Sequence, residues 1–160
     1  SIQHYTEGNR THRIVDINFT IDFKDDKIHG LFIMNVTKQD NKKGKLYEID
    51  FKNGKKHGFF MGFNLYNFTK TSQIQFKNGK IHGKCYYFNN EYIKKQTYKN
   101  DVIHGPYEES DKGPSGPRFI VKKGQYKNGK KEGIWKYYRD KVIELGETWE
   151  KGKLVDSKEY

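Results

Sequence analysis

The sequence has one cysteine, Cys85, so no intrachain disulfide can form. No run of residues approaches the roughly 18 apolar positions of a membrane-spanning helix. Prolines number three, and two fall within residues 110–118, which marks that stretch as a loop. No Ser/His/Asp arrangement, phosphate-binding glycine loop or paired carboxylates stand out, so the sequence argues against an enzyme. No signal peptide is visible. The chain opens at Ser1 without a methionine, which leaves open a role as an accessory segment of a larger enzyme or surface protein. Three Asn-x-Thr acceptors, at Asn18, Asn35 and Asn67, are weak evidence for secretion in so Asn-rich a chain. The cytoplasm is slightly favoured, with a secreted or surface location left open.

Apolar residues are also scarce, at 33%, against 32% charged. That balance alone suits a disordered chain. The aromatic content of 16% argues the other way. A thin structure with a narrow aromatic core reconciles the two, burying a few rings per unit and leaving many charges in water. The formal net charge of +11 favours acidic partners. A compositional bias toward Lys, Asn, Ile and Tyr is the competing origin of that charge.

What the sequence does have is a repeat. Phe51-Lys52-Asn53-Gly54-Lys55-Lys56-His57-Gly58 recurs with small changes from Phe23, Phe76, Tyr98 and Tyr126. A decayed copy starts at Trp149, and another precedes at Tyr5. The aromatics at 23, 51, 76, 98, 126 and 149 are 28, 25, 22, 28 and 23 residues apart. Clear units fall near 17–36, 45–66, 73–89, 94–109 and 124–139, with degenerate ends at 4–16 and 144–160, all in one repeat domain. Insertions at 37–45 and 110–118 read as loops.

Before each motif apolar and polar residues alternate, as in Ile17, Phe19, Ile21 and Phe23. That is the period of a half-buried strand. Asn-Gly, Asn-Asp or Asp-Asp then reverses the chain. After the closing glycine a second strand begins, with Phe32, Phe60, Tyr107 or Trp135 two residues on and Cys85 as the exception. Each unit is therefore strand, turn, strand. The predicted fold is all-β, an elongated, curved single sheet of tandem stacked hairpins. The expected core is Phe23, Phe51, Phe76, Tyr98 and Tyr126 with Phe32, Phe60, Tyr107 and Trp135. Cys85 is expected to be buried and inert.

Two rows of polar residues recur in register. His29, His57, His82 and His104 share one slot. A metal ladder is one reading. However, equivalent residues of neighbouring hairpins stand about 9–10 Å apart at two strand spacings, too far to share an ion bound at about 2.0–2.1 Å per ligand. The preferred reading is that each shapes or caps its own turn, and neither a metal nor a cofactor is expected. Lys52, Lys77, Lys99 and Lys127 precede the turns, and Lys27, Lys55, Lys80 and Lys130 follow them. These form a candidate binding rim for acidic groups. The competing reading is a solvated edge of gatekeeping lysines.

These units resemble MORN repeats. The string from Tyr126 to Tyr138 is closest to the bacterial variant, because Gly133-Ile134-Trp135 places an aromatic two residues after the glycine. The resemblance implies a curved sheet of stacked hairpins serving as a binding or scaffolding module, and for some bacterial members an antitoxin or immunity role. A protein partner is the leading expectation. Anionic lipid is the alternative, nucleic acid a weaker one, and self-association through the terminal sheet edges is a further route.

Overall fold

The structure is a computed structural model describing residues 3–7, 10–89, 91–112 and 118–160, with side chains described for 14–89, 91–111 and 119–160. Gly8 and Asn9 of the first degenerate copy, and residues 113–117 of the proline loop, lie outside the described residues. Those described contain strands and no helix. The chain forms two compact units, Ser1–Gly79 and Lys80–Tyr160.

The first unit holds β1 (Gln3–Glu7), β2 (Arg10–Thr20), β3 (Phe23–Lys24), β4 (Lys27–Ile28), β5 (Gly30–Lys38), β6 (Lys43–Lys52), β7 (Lys55–Phe63) and β8 (Lys70–Lys77). Its sheet runs β1-β2-β5-β6-β7-β8, with β3 and β4 as a separate two-stranded ribbon. The second unit holds β9 (Lys80–Phe88), β10 (Tyr92–Lys99), β11 (Val102–Lys112), β12 (Arg118–Lys127), β13 (Lys130–Arg139), β14 (Val142–Glu150) and β15 (Lys153–Glu159), side by side in chain order. Pairing within each unit is antiparallel, as alternation and turn chemistry require.

The turns carry two consecutive residues of positive φ, the signature of the tight hairpin turn that matches strand twist. They are Asn53 (52°) with Gly54 (76°), Asn128 (50°) with Gly129 (81°), and Asn100 (51°) with Asp101 (70°). The decayed sixth copy makes the same turn at Lys151 (50°) and Gly152 (83°).

The closing glycine has a second role. Gly58 has φ 79°, and a Cβ there would lie 2.6 Å from Asp50 Oδ2. That carboxylate accepts a hydrogen bond from Phe59 N at 3.1 Å. Register shifts around Ile49/Phe51, Gln96/Tyr98 and Lys123/Gln125 show the strand bulging there. Beyond the bulge, the closing glycine of one copy pairs with the strand aromatic of the next: Gly30 with Phe51, Gly58 with Phe76, Gly83 with Tyr98, and Gly105 with Tyr126.

This register corrects one expected core residue. Phe23 is 65% exposed. The strand breaks at Ile21–Asp22, and the short β3 pairs Phe23 with Ile28 of β4 alone. Phe23 thus lacks the glycine-bearing neighbour that half-buries Phe51, Phe76, Tyr98 and Tyr126. Phe32 and Phe60 are half-buried, and Tyr107 and Trp135 are buried. Both insertions are also narrower than expected. Thr37 and Lys38 remain in β5, and β6 begins at Lys43, so the first loop is 39–42. Ser110 is buried within β11, which runs on to Lys112.

Candidate functional site

Five hydrogen bonds tie each turn to the preceding copy. Gly54 N donates to Ile28 O, Gly79 N to Lys56 O, Asp101 N to Ile81 O, Gly129 N to Ile103 O, and Gly152 N to Lys131 O, at 2.8–3.0 Å. The acceptor is in every case the residue before the histidine slot. Side chains follow the same offset. His82 Nδ1 lies 3.2 Å from Asn100 Oδ1, and His104 Nδ1 lies 3.2 Å from Asn128 Oδ1. In the fifth copy Glu132 fills the slot, and its Oε2 accepts from Lys151 N at 2.8 Å.

The slot therefore serves the following turn rather than its own, because stacking brings that turn alongside. The first unit keeps the backbone bonds, while His29 Nδ1 and His57 Nδ1 are buried without a hydrogen-bond partner among the described residues. Among the described residues no group of three His, Cys, Asp or Glu side chains is placed to hold a metal ion.

The eight rim lysines are all exposed. Lys52 faces Lys55, and Lys127 faces Lys130, as direct cross-strand partners. Like charges placed directly opposite one another repel and destabilise the pair. Among the described residues none of the eight is ion-paired; the pairs that form join Lys42–Asp40, Lys45–Glu48, Lys95–Glu108, Lys131–Glu147 and Arg139–Glu144. The stem of Lys130 rests on the next turn, 3.2–3.4 Å from where a Cβ on Gly152 would sit.

The second unit also holds an aromatic strip that sequence reading resolved incompletely. The Trp135 ring lies 5.3 Å from Tyr107 and 5.0 Å, edge-on, from Tyr126. Lys131 is 4.7 Å from the Trp135 ring and 4.0 Å from Trp149. Glu147 Oε2 accepts from Tyr137 Oη at 2.6 Å, Trp149 Nε1 at 2.8 Å and Lys131 Nζ at 3.3 Å. Burial opposes ionisation of Glu147, but these three donors outweigh it and hold the carboxyl below its ordinary pKa. Burial, reinforced by the bond to Glu147, pushes the Tyr137 phenol upward, and burial with the Glu109 bond does the same at Tyr107. Cys85 lies in the same unit, fully buried and outside any disulfide. Tyr137 Oη, Trp149 Nε1 and Lys131 Nζ all serve Glu147 within the sheet, whereas Trp135 Nε1 is buried without a hydrogen-bond partner among the described residues.

Three segments of the chain match the MORN repeat family, residues 50–59, 75–90 and 123–134. Each contains closing-glycine or turn positions described above. No curated protein matches the chain. The matches identify MORN-type repeat units, which generally serve as binding or scaffold modules.

Proposed function

We propose that this protein is a non-catalytic binding module that uses its lysine-bearing turn edge to hold an acidic protein surface. The observation that carries this reading is the set of unpaired, mutually facing lysines on turns fixed by the inter-turn bonds. A gatekeeping role explains lysines along an open edge strand, but these lie at hairpin ends, where no ladder is exposed lengthwise. In its finer form the partner is a toxin silenced by occlusion. Support for that form comes from the Gly-x-aromatic unit ending, as at Gly133-Ile134-Trp135.

The test is affinity capture with wild type and with a quadruple reversal, Lys52, Lys55, Lys127 and Lys130 each to Glu. A protein held stoichiometrically by wild type and released by the reversal supports the reading. No captured protein, or capture indifferent to the reversal, overturns it. A captured protein that is toxic alone and silent when co-expressed supports the finer form.

The same cations favour a second reading, peripheral binding to anionic membrane or another polyanion. Exposed charges of this kind lose their pull as salt screens them. Sedimentation with liposomes of differing anionic content separates it, since binding indifferent to lipid charge removes it.

A further inference from the structure

Within each unit, we propose, the turn edge recognises an acidic peptide segment in the polyproline II conformation, with a carboxylate at every third residue. The proposal rests on the protein-binding reading above and narrows its partner. Its basis is the match of two periods. Successive turns are one hairpin apart, two strand spacings, or about 9.5 Å. A polyproline II chain advances 3.1 Å per residue with three residues per turn, so positions i and i+3 return to one side about 9.3 Å apart. A β-strand repeats on one face at about 6.7 Å and falls out of step by the second turn.

The chemistry of the edge fits such a ligand. The turn N–H groups are already spent on the inter-turn bonds, so recognition falls to the ammonium groups. In the second unit a shallow groove between the fifth and sixth turns is lined by Lys127, Asn128, Lys130, Glu132 and Lys151. The Glu132 carboxylate there is engaged by Lys151 N. Packing of the Lys130 stem on Gly152 restricts that side chain before any ligand arrives, which lowers the ordering cost of binding. In the first unit the corresponding tract is Lys52, Lys55 and Lys77. Asp25 and Asp26 offset the lysines of the first turn, and Asp101 that of the fourth, so the acidic positions bind at the other turns. An extended acidic segment also suits this surface because polyproline II is a major conformer of unfolded chains.

Fluorescence anisotropy with synthetic peptides tests this directly. One probe is a repeat of Glu-Pro-Pro, and the others are Glu-Pro and Glu-Pro-Pro-Pro repeats with the same number of glutamates. One exposed ion pair is worth up to about fivefold, so engaging in register at the one further lysine-bearing turn of a unit favours the Glu-Pro-Pro probe by up to that factor. That preference is expected to shrink with salt. It should vanish when Lys52, Lys55, Lys127 and Lys130 are reversed to Glu, and weaken when they are changed to Gln, with circular dichroism checking that both variants fold. Equal binding of all spacings, no binding, or binding unchanged by the reversal overturns the proposal. Equal binding beside a lysine-dependent captured protein removes the periodic register alone, whereas failure of capture as well removes the protein-binding reading.

Discussion

Substituting Gly124 by Ala puts the aromatic strip under direct load. The added methyl carbon would sit 2.3 Å from Trp135 Cδ2, 2.5 Å from Cε2 and 2.7 Å from Cγ. Gly124 is not among the positive-φ residues, so the backbone accepts alanine and the whole penalty is steric. The ring has nowhere to retreat: Trp135 is 0% exposed, with Tyr107 and Tyr126 against it and Lys131 beside it. Overpacking of this kind costs about 1–3 kcal/mol. At roughly 2–4 °C per kcal/mol for a chain of this size, the melting temperature should fall by about 2–12 °C. Urea denaturation followed by circular dichroism measures the free energy. Trp135→Ala should itself cost about 3–5 kcal/mol. In that background the ring is gone, so Gly124→Ala becomes neutral, or gains about 0.4–1 kcal/mol through the reduced entropy of the unfolded chain. The cycle should therefore show a coupling of at least about 1 kcal/mol. An equal cost in both backgrounds, or a cost below about 0.5 kcal/mol in wild type, refutes the packing argument.

Two further outcomes follow from the polar contacts. Glu147 has a folded pKa below its ordinary value of 4.5, so its stabilisation is complete above that value and is lost as pH falls through the folded pKa. Thermal melts across acid pH should show a steeper loss for wild type than for Glu147→Gln, and parallel curves would contradict the assignment. His104→Ala removes a link to the fifth turn and should cost about 0.5–1.5 kcal/mol by chemical denaturation, whereas no measurable change would make that link ornamental.

The strand, the turn and their order were legible because each is written within one copy. Alternation gave β6 through Ile49 and Phe51, and Asn-Gly gave the turn that follows. The next-turn role of the histidine slot was not legible, since it depends on the inter-hairpin offset that sets His82 beside Asn100. The part Glu132 plays was not legible for the same reason: it occupies the histidine slot of the fifth copy and accepts from the next turn. Phe23 carries the repeat pattern but lacks the neighbouring strand that would cover it. The Lys131–Glu147–Trp149 cluster joins residues 16 and 18 positions apart across β13 and β14. A signal for it lay in the sequence, because the residue two before Trp149 is an acid where the equivalent position before Phe51 is Ile49. Asp140 and Lys141 form a tight turn without glycine, which composition alone does not announce.

The constant offset of the inter-turn bonds gives the two ends of each hairpin different tolerances. Copies of 22 to 28 residues keep the bond at 2.8–3.0 Å, so changes of length are taken up at the opposite ends, in connections such as 39–42 and 64–69. Those connections act as expansion joints. Foreign segments can be spliced into them while the lysine-bearing ends keep step, and the same freedom lets a lineage lengthen or shorten its copies without rebuilding the surface they present.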